Sequence, residues 1–115
     1  YSDLTIGAPS MGMNGEIAVS ARITNRGTRA AEEVVQLYIH DRVASITRPV
    51  RELKAFRKIR LAPGQSEVVR FTLRPANLQF IGVDNRPVVE PGTFDVWIAP
   101  SAEADGVHGT FELTA

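Results

Sequence analysis

Val34-Val35-Gln36-Leu37-Tyr38-Ile39-His40-Asp41, followed by Thr47-Arg48-Pro49-Val50-Arg51-Glu52-Leu53-Lys54-Ala55-Phe56, decides the architecture of this chain. Successive side chains of a strand point to opposite faces. Val35, Leu37 and Ile39 therefore share one face, and Val34, Gln36 and Tyr38 the other. Apolar groups on both faces predict a central strand from Glu33 to His40, partly covered on both sides. From Asp41 to Pro49 no period is clear, and Pro49 cannot donate to a central ladder. Leu53, Phe56 and Ile59 then resume an apolar pattern, with Lys54, Arg57, Lys58 and Arg60 outside it.

The same period-2 patterning extends along the chain in both directions. Leu4 and Ile6 alternate with Thr5, and Ile17, Val19, Ala21 and Ile23 share a face opposite Ser20, Arg22 and Thr24. Met11-Gly12-Met13-Asn14-Gly15 reads as a turn, and Asn25-Arg26-Gly27 as a strand end. Pro63-Gly64 fits the central positions of a type II turn. Val69, Phe71 and Leu73 form the next strand, Leu78 and Phe80 a short one, and Asp84-Asn85-Arg86 a hairpin tip. After Pro91-Gly92, Phe94, Val96 and Ile98 alternate with Asp95 and Trp97. Ser101 to Gly106 has the composition of a mobile loop tip, and Phe111 and Leu113 mark a last strand. About seven to nine short strands at this spacing predict an all-β, immunoglobulin-like antiparallel sandwich. Ile23, Val35, Leu37, Phe71, Val96 and Ile98 are expected between its two sheets.

Bulk properties agree and narrow the partners. The 115 residues fit one domain, 1–115, with 43% hydrophobic and 23% charged residues. Thirteen basic and 13 acidic residues cancel, which argues against nucleic acid and an anionic membrane, since both select excess positive charge. There is no cysteine, so the domain is not a disulfide scaffold, and the compartment stays open. No run of about 18 apolar residues spans a bilayer. Tyr1-Ser2-Asp3-Leu4 already reads as the middle of a strand, as expected of a domain cut from a longer polypeptide.

The candidate chemistry is thin. Glu32-Glu33 is an adjacent carboxylate pair, but neighbours on a strand diverge, whereas glycoside hydrolysis needs two carboxyls facing one cleft. His40-Asp41 and His108 lie too far apart to form a metal motif, and no nucleophile elbow surrounds Ser45. Asp84, Asn85 and Glu90 lack calcium-loop spacing, and a hairpin turn explains the first two. No catalytic residue, metal or cofactor is expected. Trp97 and Tyr38 could stack on a sugar ring, but packing is the preferred reading for Trp97, with sugar contact and contact with another domain as alternatives. The basic run Arg48, Arg51, Lys54, Arg57, Lys58 and Arg60 reads either as a charge-guarded edge strand or as a docking surface.

Taken in order, Val35-Gln36-Leu37-Tyr38, Arg48-Pro49-Val50-Arg51-Glu52-Leu53, Phe56, Leu61-Ala62-Pro63-Gly64-Gln65 and Val89-Glu90-Pro91-Gly92 form a specific set. The set resembles the C-terminal fibronectin type III-like domain of glycoside hydrolase family 3, the β-glucosidases and β-xylosidases. The resemblance covers nearly the whole chain and is strongest from Glu33 to Val96. Ala55 departs from it, standing where that family often has glycine. The resemblance implies an accessory domain of a β-glycosidase. The nucleophilic aspartate and the acid/base glutamate of that family lie in preceding domains, and no position here matches either motif. A periplasmic or secreted parent would be in keeping with it. It further implies that the stretch from Asp41 to Leu53 runs toward the catalytic domains of the same polypeptide. Ile46, Arg48, Pro49, Arg51, Leu53 and Phe56 are then the candidate interdomain docking residues. A carbohydrate-binding module and a generic adhesion sandwich are the alternative readings.

Overall fold

A computed structural model describes residues 1–42, 51–81 and 87–114. In chain order its strands are β1 (Ser2–Ile6), β2 (Ser10–Met11), β3 (Ile17–Thr24), β4 (Ala31–Asp41), β5 (Glu52–Leu61), β6 (Ser66–Leu73), β7 (Phe80–Ile81), β8 (Pro87–Val88), β9 (Gly92–Ala99) and β10 (Val107–Leu113). One sheet has the order β1-β3-β6 and the other the order β2-β10-β9-β4-β5, while β7 and β8 pair as a small hairpin. The two larger sheets stack face to face. The alternation read from the sequence supplies their inner faces: Ile17, Val19, Ala21 and Ile23 from β3, Val35, Leu37 and Ile39 from β4, and Phe94, Val96 and Ile98 from β9 are all buried. Phe71 joins them, so all six residues expected in the core are there. Phe94 and Phe111 lie across the β9–β10 ladder from each other with ring centroids 5.5 Å apart.

The Pro63-Gly64 turn takes the expected form. Gln65 N–H donates to the Ala62 carbonyl at 3.0 Å, and Gly64 adopts a positive φ of 75°, which the third position of a type II turn requires.

Three local expectations need correction. Met11 is not in a turn but buried in β2, which runs parallel to β10. The chain leaves the first sheet after Ile6, passes through Gly7-Ala8-Pro9 and satisfies the open edge of β10, where Glu112 N–H donates to Pro9 O and Thr114 N–H to Met11 O. The turn is shorter, Gly12 to Gly15, closed by a 3.0 Å hydrogen bond. Leu78 is not in a strand: Pro75–Leu78 is a 3-10 turn, because the Asn77 side chain caps the Arg74 N–H at 2.8 Å and pulls the chain round. Finally, Leu53 and Phe56 do not join Ile59 in the core but face solvent. The proposed hairpin tip at Asp84-Asn85-Arg86 lies outside the described residues.

Candidate functional site on the outer face of the larger sheet

The side chains that converge lie on the outer face of the five-stranded sheet. Cross-strand partners share a face. Leu53 pairs with Tyr38, Tyr38 with Trp97, and Trp97 with His108. These four side chains therefore form one row across β5, β4, β9 and β10. Gln36 and Phe56 form the adjacent row on β4 and β5.

One half of this face is consumed by internal contacts. Asp95 is only 6% exposed, and its carboxylate accepts two hydrogen bonds from Arg42, Nε at 2.8 Å and Nη2 at 2.6 Å. The Nε2 of His108 lies 2.9 Å from the same carboxylate, and the His108 ring stacks on Trp97 at 4.9 Å. The Arg51 guanidinium sits 4.6 Å from the Trp97 centroid, and its Nη1 donates to the carbonyls of Ala102 and Ala104 at 3.0 and 2.6 Å. Arg42, Asp95, His108, Trp97 and Arg51 thus form a continuous chain of contacts. It fastens residue 42, residue 51 and the loop between β9 and β10 to one surface. Tyr38 Oη donates to the side-chain Oε1 of Gln36, and Gln36 Nε2 donates to the Pro100 carbonyl at 2.8 Å.

This arrangement changes the reading of individual residues. Arg51, a candidate interdomain docking residue, donates from Nη1 to two carbonyls of its own domain. A guanidinium beside two carbonyls and an indole face has a local use for its geometry. The Ser101 to Gly106 segment, read as a mobile tip, is held by that same arginine. His108, near the start of β10 and half exposed, also belongs to the Asp95 network. Asp95 had no signal in the sequence beyond a charged residue on the outer side of its strand, and Arg42, one residue past β4, had none. Ile46, Arg48 and Pro49 lie outside the described residues. Tyr38 is 6% exposed and Trp97 is covered by Arg51 and His108, so the pair does not make the open, coplanar platform that sugar stacking requires.

The other half of the face is open. Val34, Leu53 and Phe56 are 40%, 49% and 68% exposed. Their common orientation has a specific cause. Residues three apart on a regular strand point to opposite faces. Between Leu37 and Tyr38 the register on β5 jumps from Ala55 to Leu53, leaving Lys54 as the extra residue of a β-bulge. The bulge turns Leu53 to the same outer face as Phe56. Ala55, opposite Leu37, points inward and packs against the core.

The Arg42 guanidinium holds the Asp95 carboxyl below the usual carboxylate range; burial opposes this and His108 adds to it. A depressed folded-state value means that the pair's stabilisation is fully present above the unfolded-state value of about 3.9 and is lost as pH falls below it. Asp95→Asn is therefore expected to lower stability at pH 6 and to flatten the acid limb of the stability curve. Urea midpoints measured between pH 6 and pH 2.5 for both proteins check this; parallel acid limbs would contradict it.

Glu33 and Glu32 are spent singly. Glu33 accepts a hydrogen bond from Tyr1 Oη at 3.1 Å, and burial, then that carboxylate, push the Tyr1 phenol up. Glu32 pairs with Lys58 at 2.7 Å on the surface. The two adjacent glutamates diverge, as the strand period requires. A cleft of about 190 Å³ does open beside them, lined by Ile23, Asn25, Arg26 and Leu61 among others, but Glu33 is the one turned to Tyr1 and Glu32 the one turned to Lys58. Among the described residues no group of three or more histidine, aspartate or glutamate side chains could hold a metal ion.

Two stacked sheets with these strand orders define a β-sandwich module of the fibronectin kind. The chain belongs to the fibronectin type III-like domain family, which matches residues 33–102. It is 43% identical over 111 residues to a β-glucosidase of Bacteroides ovatus, covering 96% of this chain and 15% of that protein. It is 38% identical to a periplasmic β-glucosidase of Salmonella typhimurium, covering 97% of this chain and 14% of that protein. It is also 38% identical to a β-xylosidase of Formosa agariphila, with 99% and 16% covered. Among solved structures, a β-glucosidase from Erythrobacter marinus superposes with a TM-score of 0.90 at 33% identity over 98% of this chain and 15% of that one. The resemblance carried by the ordered motifs therefore holds, and the chain spans about 15% of the length of these relatives.

Proposed function

We propose that this domain is a non-catalytic accessory module of a β-glycosidase, a β-glucosidase or β-xylosidase hydrolysing O-glycosyl bonds. It packs on the catalytic part of the same polypeptide and stabilises it. The observation that carries this reading is the pattern of coverage: relatives match almost all of this chain with only about 15% of their own length, and they are glucosidases and xylosidases by name. The geometry supports it. A hydrolase of this chemistry needs two carboxyl groups roughly 5–9 Å apart across a sugar. Here Asp95 is neutralised by Arg42, Glu32 by Lys58, and Glu33 is turned to Tyr1.

Two measurements test the proposal. The isolated chain is expected to turn over neither aryl β-glucoside nor aryl β-xyloside; turnover lost on mutating one of its own carboxylates would refute the non-catalytic part. The coding region adjoining this domain is expected to specify a glycosidase, and deleting residues 1–115 from that enzyme is expected to lower its inactivation temperature. An adjoining region that encodes no glycosidase would refute the accessory part.

A further inference from the structure

We propose that Asn14-Gly15 is a site of spontaneous covalent modification: Asn14 closes onto the Gly15 nitrogen, hydrolysis leaves isoaspartate, and the lengthened backbone releases β2 from β10. The modification belongs to this chain's own turn and stands apart from the accessory reading above.

Three observations carry the proposal. First, the reacting groups are accessible. Asn14 and Gly15 are exposed in the turn between β2 and β3, and the Asn14 side chain holds no hydrogen bond among the described residues. It is free to swing its amide carbon onto the next backbone nitrogen. That nitrogen belongs to glycine, which brings no Cβ to shield it and enters backbone conformations closed to other residues. Its N–H donates to Gly12 O at 3.0 Å, one turn bond at the surface, whose local opening costs little. Second, the other asparagines among the described residues are held. Asn25 Nδ2 donates to Arg29 O at 2.8 Å and to Leu61 O at 3.0 Å, its Oδ1 accepts from Gly27 N–H at 2.9 Å, and arginine follows it. Asn77 Oδ1 accepts from Arg74 N–H at 2.8 Å, and leucine follows it.

The chemistry needs only water. The Gly15 nitrogen gives its proton to solvent base and bonds to Asn14 Cγ; the Cγ–Nδ2 bond breaks and the amide nitrogen leaves as ammonia. Water then opens the cyclic imide. Breaking the new Cγ–N bond restores the main chain and leaves aspartate. Breaking the original peptide C–N bond carries the main chain through Cβ and Cγ and leaves isoaspartate.

Third, the turn has no slack for the extra atom. Isoaspartate adds one backbone carbon, about 1.5 Å of chain. Both ends of the turn are pinned, Met11 at 3% and Ile17 at 2% exposure. β3 pairs with β6 along its whole length. β2 has two residues, held by Glu112 N–H to Pro9 O at 3.0 Å and Thr114 N–H to Met11 O at 2.8 Å. β2 is the weaker anchor, so it is the one that yields.

The test incubates the chain in mildly alkaline buffer made with heavy-oxygen water and maps its peptides over time. Conversion is expected first at Asn14, with heavy oxygen in the product and isoaspartate detected by methyl transfer from an isoaspartyl methyltransferase. Gly15→Ala is expected to slow conversion about fivefold or more, as the backbone freedom peculiar to glycine is removed. That variant is expected to melt with the parent, since a Cβ at Gly15 meets Gly12 O at 3.4 Å and Met11 Cγ at 3.5 Å, ordinary contact distances. In the aged chain the Glu112 and Thr114 amides are expected to exchange hydrogen faster. Asn14→Asp, which adds the charge without the backbone carbon, is expected to leave them protected, and so is Asn14→Gln after the same incubation. Asn14 converting no faster than Asn25, or Gly15→Ala converting as fast as the parent, would overturn the site. An isoaspartyl chain with unchanged protection at Glu112 and Thr114 would overturn the release of β2. An equal loss of protection in Asn14→Asp would overturn the backbone account in favour of charge.

Discussion

Phe94→Ala is expected to lower the unfolding free energy by about 3–5 kcal/mol, the range for truncating a buried phenylalanine. Phe94 is completely buried on β9, the central strand of the five-stranded sheet, and its ring stacks on Phe111 at 5.5 Å and 10°. The alanine would leave a cavity that the sheet cannot close, because neighbouring strands are held at fixed spacing by their ladders. A stacked aromatic pair adds about 0.5–1.5 kcal/mol beyond the area it buries. Domains of this kind have only about 5–15 kcal/mol in total, so the loss is a large share of it. Guanidinium unfolding with an unchanged slope and a lowered midpoint checks the expectation. A loss below about 1 kcal/mol would mean that the core relaxes around the cavity as no well-packed sandwich should.

Gly106→Ala is expected to cost about 1–3 kcal/mol, the penalty for a residue held in a disfavoured backbone conformation. Gly106 has a φ of 55°, and a Cβ there would stand 2.2 Å from the Ile98 carbonyl oxygen and 2.6 Å from Ala99 Cβ. Backbone must move to admit it, and the segment that moves holds the Ala102 and Ala104 carbonyls that accept from Arg51. The change should therefore reach Trp97, the single tryptophan of the chain, and shift its fluorescence. Gly64→Ala is the control. Its φ of 75° is equally left-handed but nothing lies within 4 Å, so only the conformational strain is felt, about 1 kcal/mol. Similar losses at the two sites, with Trp97 emission unmoved, would show that the loop is not tied as the contacts require.

Much of the sandwich was legible in the residues themselves. Val35-Gln36-Leu37-Tyr38-Ile39 and Phe94-Asp95-Val96-Trp97-Ile98 assign inner and outer faces unaided, because the strand period is two and an apolar side must be buried. Pro63-Gly64 announced its turn, because glycine alone enters the positive φ that the third position demands without strain. The second sheet placement of Met11 was not legible. A two-residue strand has no period to read, and its position depends on where the edge of β10 stands.

The open half of the outer face was half legible. Leu53 and Phe56 visibly fail to fit one regular strand, but the misfit does not say which of them turns. The pairing of β5 with β4 settles that, since the bulge is a property of two strands in register. The closed half was hidden altogether. Arg42, Asp95 and His108 are 53 and 13 residues apart along the chain. Nothing local links such residues; only the ladders of β9 with β4 and β10 bring them together. Arg51 shows the division most plainly. Its fork and its setting beside a proline mark it as a donor in search of carbonyls or carboxylates. That it finds them at Ala102 and Ala104, over Trp97, follows from the chain's return through β9 and β10. The sequence by itself determined most of the strands, the faces of the regular ones and the family. The tertiary structure decided which polar and apolar groups on the outer face were tied up and which were left exposed, because that depends on cross-strand register, and register is set by the whole sheet at once.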